Sequence, residues 1–311
     1  KNNMSIIVSS LPTYVEQNSD KLLKGAILGA ESAKDFTLQT GVKTKTALNL
    51  LGTEIVFQDG SACGWNAEAI STITQRTITA PAIKINQSFC DKTLENTCLQ
   101  HDVRVAAGQK TLPFEQDFIQ QIVDNVALGV EKLIWQGDVT KTADNTLKWG
   151  DGMIKILKAA DGITVSGQKL THAALTKANI RDAVDAVVAV IPAEVLPNAK
   201  IYMGYDTYRL YIMALQAANL YHVNGDGLDV GETKYQGSNI TIKAVAGLNG
   251  TSEIVAGAPS NFYFGTDMQN DQESFDFWYS KDAQEFRLAI ELTAGAQVAY
   301  PNEVIISSLS A

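Results

Sequence analysis

The long amphipathic stretch PFEQDFIQQIVDNVALGVEKLIWQGD, from Pro113 to Asp138, constrains the fold of this chain more than any other feature. Apolar side chains recur in it every three or four residues, the spacing of one face of an α-helix. The stripe consists of Phe118, Ile119, Ile122, Val123, Val126, Ala127, Val130 and Leu133. Pro113 suits a first helical turn, where its missing N–H is not needed, and Gly137 supplies the stop. At about 1.5 Å per residue the predicted helix, 113–136, spans about 36 Å.

A single helix of this length, followed by strand-rich sequence, favours a structural spine over the wall of a pocket. The alternative is an ordinary core helix of a globular enzyme, and this stretch alone does not separate the two.

Length and composition describe a folded chain. Its 311 residues, 45% of them hydrophobic, can bury a sizeable core as one large domain or two intertwined ones. No run approaches the roughly 18 apolar residues of a membrane span, and the start has no signal-peptide pattern. The chain begins at Lys1 without an initiator Met, which fits either cleavage of a longer precursor or numbering from within one.

The net charge and the cysteine count limit the classes of protein to which the chain can belong. A net charge of −9 argues against a protein that grips nucleic acid electrostatically, but it does not exclude one that encloses DNA. The three cysteines, Cys63, Cys90 and Cys98, form no CxxC pair. Such an odd, sparse count favours reduced thiols in a cytosolic assembly over a disulfide framework.

Two regions before the spine promise little core of their own. Residues 1–45 mix short apolar patches with polar residues and predict an arm, with one short helix near 22–28, lying on something else. The alternative is a simple N-terminal helix of the main domain.

Residues 46–90 predict a long β-hairpin. Leu51 and Phe57 lie on the outgoing strand, Asp59-Gly60 forms a turn, and the segments 73–78 and 81–86 return. Because its strands carry few large apolar residues, we expect the hairpin to fold onto a neighbouring subunit.

Strands and helices alternate after the spine. We expect a strand at 148–157, a helix from about Leu175 that Thr176 caps and Pro192 ends, a strand at 199–204, and a helix capped by Asp206. This alternation predicts a compact α/β lobe, and the C-terminal part is strand-dominated through 275–279, 286–292 and 304–306.

The candidates for chemistry are weak. The loop 224–238 fails as an EF-hand, because its fifth, sixth and twelfth positions are Leu228, Asp229 and Tyr235. An acidic cluster could serve hydrolysis or a metal but has no nearby histidine, and we expect it to be a turn and a solvent-facing strand; it consists of Asp267, Asp271, Glu273 and Asp276. Cys98, His101 and Asp102 lack an oxyanion loop, and His172 and His222 are remote. The sequence therefore predicts no catalytic, cofactor-binding or metal site and no enzyme.

Three segments in order resemble major capsid proteins of tailed double-stranded DNA bacteriophages, especially those infecting Bacteroidetes-type hosts. They are EKLIWQGDV (131–139) with WGDGMIKIL (149–157), NFYFGTDMQND (261–271) with FDFWYS (275–280), and FRL (286–288) through GAQVAYPNEV (295–304). The resemblance covers roughly residues 113–308.

The resemblance implies an α+β chain with the Hong Kong ninety-seven-type capsid fold. The implied parts are an N-terminal arm at 1–45, an extended loop at 46–90, a peripheral domain at 91–170 plus 275–311, and an axial domain at 171–274. Some relatives crosslink subunits through Lys and Asn, and no motif here transfers that property.

The implied function is a shell protein that assembles as hexamers and pentamers around phage double-stranded DNA. Portal and possible decoration or scaffold proteins are the implied partners, and the implied location is the virion, assembled in the host bacterial cytoplasm. An encapsulin-like nanocompartment shell that packages protein cargo is the alternative. A hydrolase using Asp267 and Asp271 is a third hypothesis.

Overall fold

A computed structural model of the chain describes residues 10–53, 56–57, 71–90, 114–220, 231–267 and 274–310. Its five α-helices in these ranges are α1 (Ser10–Leu28), α2 (Phe114–Gln136), α3 (Met153–Lys158), α4 (Ile180–Val190) and α5 (Tyr205–Ala217). The strands are β1 (Thr37–Gln39), β2 (Lys45–Thr53), β3 (Ser71–Thr79), β4 (Ala82–Cys90), β5 (Lys169–His172), β6 (Lys200–Met203), β7 (Glu232–Lys234), β8 (Thr241–Ala244), β9 (Ile254–Gly257), β10 (Phe262–Gly265), β11 (Ser274–Ser280), β12 (Glu285–Thr293), β13 (Gly295–Val298) and β14 (Ile305–Leu309).

Helix α2 is the spine, and its predicted stripe faces the main hydrophobic core. Ile119, Val123, Val126, Val130 and Leu133 are buried there, with Phe118 and Ile122 packed at the edge. The helix ends one residue before Gly137, as the sequence predicts. Pro113 lies outside the described residues.

The sheet β11–β12–β4 covers the spine with one of its faces. Its strands are antiparallel, and Phe275, Phe277, Leu288 and Ile290 point into the main core while Asp276 on the other face is exposed. The predicted alternation of the two C-terminal strands is therefore confirmed.

A six-stranded sheet of order β5–β14–β9–β6–β8–β7 separates the main core from a second one. Along β6, Ile201 and Met203 face the second core, together with helices α4 and α5, while Tyr202 between them faces the main core. Because side chains alternate along a strand, one sheet serves both cores.

The hairpin β2–β3 is joined to the body by a small third cluster at its base. Val42, Leu48, Ile78 and Ala80 are buried there, and Tyr263 packs against them. A sheet of order β1–β10–β13 lies beside this base, where Gln297 Nε2 donates to the Thr77 carbonyl at 2.7 Å.

The Gln-Gly-Asp turn after the spine is closed by backbone contacts that leave no room for a side chain. A Cβ on Gly137 would collide with the carbonyls of Gly150 and Leu133. Asp138 accepts from Lys155 Nζ at 2.8 Å and from Thr140, and the pKa of its carboxyl is lowered mainly by the bond to Lys155.

Three local predictions are wrong. Residues 153–158 of the predicted strand 148–157 form helix α3, because Met153 and Leu157 are four residues apart and both fall on its buried side. Helix α4 begins at Ile180, not Leu175. Asn179 precedes it, and the Asn179 side chain accepts from the Thr176 amide, so Thr176 belongs to the turn before the helix.

The third wrong prediction concerns a cap: Gly204, not Asp206, stands before helix α5. Asp206 lies in the first turn, where it accepts from the amides of Thr207 and Gly250.

The segment 81–86 is not part of the hairpin. It belongs to β4, which pairs with β12 along its whole length, whereas β2 pairs with β3 alone. Pro81 separates β3 from β4 at the point where the chain changes sheets.

Residues 10–36 are built into the chain's own core, so the prediction of an unsupported arm is wrong for them. Leu11, Val15, Ala26 and Ile27 of helix α1 are buried against the spine and β11. The alternative, an N-terminal helix of the main domain, describes this segment.

Candidate assembly surfaces

The outer half of the hairpin carries exposed apolar side chains. Leu51 and Ile73 are directly opposite each other in the β2–β3 register, and they are 61% and 74% exposed. Phe57, beyond the end of β2, is 96% exposed. Cross-strand partners share a face of the sheet, so Leu51 and Ile73 form one continuous apolar patch.

The two faces of the hairpin differ. Leu48, Leu50 and Ile78 lie on the face turned toward the body and are buried. The opposite face carries the Leu51–Ile73 pair and a hydrogen bond of 2.8 Å from Gln75 Nε2 to Asn49 Oδ1. The apolar patch is therefore on the side that the body does not cover.

A groove of about 750 Å³ runs along the spine helix between strand β4 and the turn 144–149. Ile83 and Ile85 of β4 line one wall, Ile122 and Val126 of the spine line the floor, and Leu128 lies at the rim, 48% exposed. The groove presents partly apolar surface that the described part of the chain leaves uncovered.

Trp149 stands at one end of this groove and is 45% exposed. Its indole N–H donates to the Asn145 carbonyl at 2.9 Å, and Lys148 Nζ lies 5.3 Å from its ring centre. Asp144 accepts from the amides of Thr146 and Leu147, which closes the turn that presents the ring. The indole is thus held in place while nearly half of it stays exposed, and Trp is among the residue types that dominate protein interfaces.

A buried polar contact fastens the segment after α1 to the end of the spine. Glu131 is 1% exposed, and its carboxylate accepts from the Ser32 amide at 2.9 Å and from the Ser32 hydroxyl. Trp135 Nε1 donates to Ser32 Oγ at 2.7 Å and to Glu131 at 3.1 Å. Burial raises the pKa of Glu131, although these hydrogen bonds act in the opposite direction.

Aromatic rings and ion pairs extend this contact. We call the whole arrangement the joint: residues 30–36 together with Glu131 and Trp135 of the spine. Phe36 packs against Trp135 at 5.7 Å and against Phe262 at 5.1 Å between ring centres. Asp35 accepts from Lys200 at 3.0 Å and from Lys243 at 2.7 Å. The joint therefore binds the spine and the six-stranded sheet together.

The candidates for chemistry are not brought together among the described residues. Asp267 is buried, and its backbone amide donates to the Thr293 hydroxyl oxygen at 2.8 Å, so Asp267 is not part of a solvent-facing strand. Asp276 is exposed on β11, and Asp271 and Glu273 lie outside the described residues.

The remaining candidates have structural contacts or lie outside the described ranges. His172 on β5 contacts the Ser252 carbonyl through Nε2 at 3.0 Å, and Glu232 of the acidic loop lies 3.6 Å from Lys243. Residues 224–230 of this loop are outside, as are Cys63, Cys98, His101, Asp102 and His222. In the described ranges no group of three His, Cys, Asp or Glu side chains could hold a metal ion, and none of the helices there is long and apolar enough to cross a membrane.

Sequence reasoning missed Leu128, Trp149 and the Ser32–Glu131 contact. Leu128 lies off the predicted stripe, on the other side of the spine, and is exposed. A large apolar residue on the polar side of an amphipathic helix could have indicated a second contact surface. Ser32 and Glu131 are 99 residues apart, and nothing in a single sequence pairs them.

Comparison with known proteins gives matches in structure only. No family model matches the chain, and no curated protein matches it in sequence. A chain of the satellite phage P4 procapsid, in a structure that includes its size determination protein, has a TM-score of 0.60 at 11% identity and covers 93% of this chain and 90% of its own. The capsid of the native GTA particle gives 0.57 at 14% identity, over 92% and 89%. A virus-like particle from Pyrococcus furiosus gives 0.51 at 9% identity, over 95% and 99%.

Likeness at such low identity concerns the fold. The chain has the mixed α+β fold of tailed-phage capsid subunits, and the predicted Hong Kong ninety-seven-type fold class is confirmed.

Proposed function

We propose that this chain is the major capsid protein of a tailed double-stranded DNA bacteriophage, a structural protein that assembles as hexamers and pentamers into an icosahedral shell. The observation that carries the proposal is the match along nearly the whole length of both chains to subunits of a procapsid, a capsid and a virus-like particle. Each match extends over 89% or more of both chains.

The hairpin supports assembly. Leu51 and Ile73 expose apolar surface on the face turned away from the body, and Phe57 beyond the end of β2 is exposed as well. Such surface favours contact with another protein. The groove beside Leu128 and Trp149 offers apolar surface to receive it. In the proposed assembly, the hairpin of one copy lies on the spine region of the next.

The proposed division is the one that the resemblance to capsid proteins implies. Residues 1–45 form the N-terminal arm, 46–90 the extended loop, 91–170 with 275–311 the peripheral domain, and 171–274 the axial domain. Within 46–90 the hairpin is β2–β3, whereas β4 pairs with β12 of the peripheral domain. A portal, and possible scaffold or decoration proteins, would complete a virion built in the bacterial cytoplasm.

The charge of the chain fits enclosure of DNA better than a grip on it. A net charge of −9 makes the proposed inner wall weakly repulsive to phosphate. Mapping charge on the inner face of an assembled shell tests this, and a strongly basic lining would contradict it.

A nanocompartment shell that packages protein cargo is the second candidate. The virus-like particle from Pyrococcus furiosus supports it by covering 99% of its own chain. The TM-score is 0.51 for that particle and 0.60 for the phage P4 procapsid chain, which favours the phage capsid.

Electron microscopy of the purified protein tests the shell. We expect closed, uniform particles. Particles isolated from the cells that naturally produce the chain separate the two candidates: nuclease-protected DNA with a portal or tail supports the phage capsid, whereas protein-filled particles without either support the nanocompartment. A compact monomer at all concentrations would contradict both.

A paired substitution tests the hairpin contact. Leu51→Asp with Ile73→Asp places two charges in the exposed patch, and we expect particle yield to fall by roughly tenfold or more, because charges are costly to bury unpaired. The circular dichroism spectrum of the subunit should not change, since both positions are exposed.

The matched control is Ala47→Asp, which lies on β2, on the same face, but near the base. It should leave particle yield close to that of the wild type. Normal assembly of the double variant would contradict the proposed contact.

A further inference from the structure

One side chain connects the middle of the hairpin to the turn after helix α3. Arg76 of β3 lies on the body-facing side, opposite Leu48, and its Nη1 donates to the Asp161 carbonyl at 2.9 Å. Its Nη2 is 3.8 Å from the Asp161 carboxylate, which is itself 83% exposed. The carbonyl is therefore the main acceptor, and the charge pair adds little.

The acceptor is held firmly. Asp161 lies in the turn after helix α3, where the Gly162 amide donates to Ala159 at 3.1 Å and the Ile163 amide donates to Leu157 at 3.2 Å. Helix α3 is in turn joined to the end of the spine, because Lys155 contacts Asp138 and the Gly152 amide donates to Gly137 at 2.8 Å. Arg76 thus connects the hairpin to the Gln-Gly-Asp turn.

The position of Arg76 along the hairpin gives it leverage. At about 3.3 Å per residue, Arg76 is about 10 Å from the base at Thr79, and Ser71 is about 26 Å from it. A displacement of about 1 Å at Arg76 therefore becomes roughly 2.6 Å at Ser71. Farther out, Leu50 is buried on the body-facing side, and the Tyr300 hydroxyl makes a long hydrogen bond of 3.5 Å to the Leu51 carbonyl.

We propose that Arg76 is a positioning residue: by bonding the Asp161 carbonyl it fixes the angle between the hairpin and the spine, and so limits the range of curvature at which copies assemble. This inference rests on the proposed shell function. The hairpin angle itself is a property of the single chain and is measured without assembly.

Hydrogen exchange on dissociated subunits tests the angle. In Arg76→Ala we expect the amides of 71–75 to exchange roughly tenfold faster, because a charge-assisted hydrogen bond is lost. Arg76→Lys keeps a cationic donor and should restore much of the protection. Asp161→Asn keeps the carbonyl and should match the wild type.

The matched control is Gln75→Ala, next to Arg76 but on the outward face, where its amide contacts Asn49 within the hairpin. The positioning role is wrong if the amides of 71–75 exchange no faster in Arg76→Ala than in this control. It is also wrong if Arg76→Lys does not restore their protection.

Electron microscopy of particles tests the curvature. We expect Arg76→Ala to give a broader distribution of particle diameters than Gln75→Ala. The distribution should be narrower again in Arg76→Lys. Unchanged diameters together with faster exchange would overturn the link to curvature. Absence of particles in the wild type would instead contradict the proposed function, and the exchange result would still decide the role of Arg76.

Discussion

The hairpin and the N-terminal helix both come before the spine in the chain but are stabilised in different ways. Helix α1 buries Leu11, Val15 and Ile27 completely, and the joint that follows it bonds the spine through Glu131. The hairpin buries a small cluster at its base and Leu50 on its inner face, and it leaves the Leu51–Ile73 pair open.

The difference shows where apolar residues can find partners within one chain. Helix α1 lies against the spine, so the apolar side chains on its inner face are buried in the main core. The hairpin leaves the body after a few residues, so its outer apolar side chains meet no surface among the described residues. The first region thus serves the stability of the subunit, and the second serves the proposed contact between subunits.

The largest expected effect comes from removing the ring at the centre of the joint. Trp135→Ala should lower the free energy of unfolding of the dissociated subunit by about 3–5 kcal/mol, because the ring is fully buried and packs on Phe36, Tyr202 and Phe262. Chemical denaturation followed by circular dichroism measures it. Trp149→Ala is the control and should cost about 1 kcal/mol or less. Equal losses in the two variants would contradict a joint that is more important to subunit stability than the groove.

A direct comparison of the two regions gives the next largest effect. Ile27→Ala in helix α1 should cost about 2–5 kcal/mol, since its side chain is fully buried. Leu51→Ala in the hairpin should change the stability of the dissociated subunit by about 0.5 kcal/mol or less, because it is 61% exposed. Chemical denaturation followed by circular dichroism measures both losses of stability. A large loss in Leu51→Ala would mean that the hairpin is supported by its own chain after all.

A smaller effect is expected from the ion pairs of the joint. Asp35→Ala leaves Lys200 and Lys243 without their shared partner and should cost about 1–3 kcal/mol. The exposed pair of Lys84 and Glu291 on the outer sheet is the control, and Glu291→Ala should cost less than about 1 kcal/mol. A reversed order in thermal unfolding would show that the joint does not depend on these bonds.

The smallest effect is a change in pH dependence. Because burial raises the pKa of Glu131, the unfolded chain loses this proton at a lower pH than the folded chain, and stability should fall as pH rises from about 4.5 through the folded pKa. Glu131→Gln should lack this decline. Unfolding measured from pH 4 to pH 8 gives the slope, and exposed Glu291→Gln should keep the slope of the wild type. An unchanged slope in Glu131→Gln would contradict a carboxyl that ionises within the folded joint.

Periodicity predicted the elements whose packing is regular. The stripe of the spine and the alternation of β11 and β12 could be read because each element has one buried face along its whole length. The end of the spine helix before Gly137 could be predicted because the tight turn there excludes any side chain.

Elements that depend on distant partners could not be predicted in this way. The run at 153–158 is short and apolar, and its helical form is set by the main core. Strand β4 looked like a return of the hairpin because its partner, β12, comes some 200 residues later. Helix α1 looked unsupported because the surface that covers it belongs to the spine and β11, which follow much later in the chain.

The candidate surfaces were predictable in part. A hairpin with too little core of its own was expected from its composition, and exposure of Leu51 and Ile73 agrees with that reasoning. The contact of Arg76 with Asp161 could not be predicted. Arg76 bonds a backbone carbonyl, and every residue has one, so the sequence does not mark the acceptor.

The six-stranded sheet that serves both cores has a mechanical consequence. Ile201 and Tyr202 are consecutive residues, yet each is anchored in a different core, so the two halves of the body cannot slide past each other without breaking strand β6. The body should therefore move as one stiff block. In the proposed shell, any adjustment to flatter or sharper regions would fall to the segments that leave the body, such as the hairpin β2–β3.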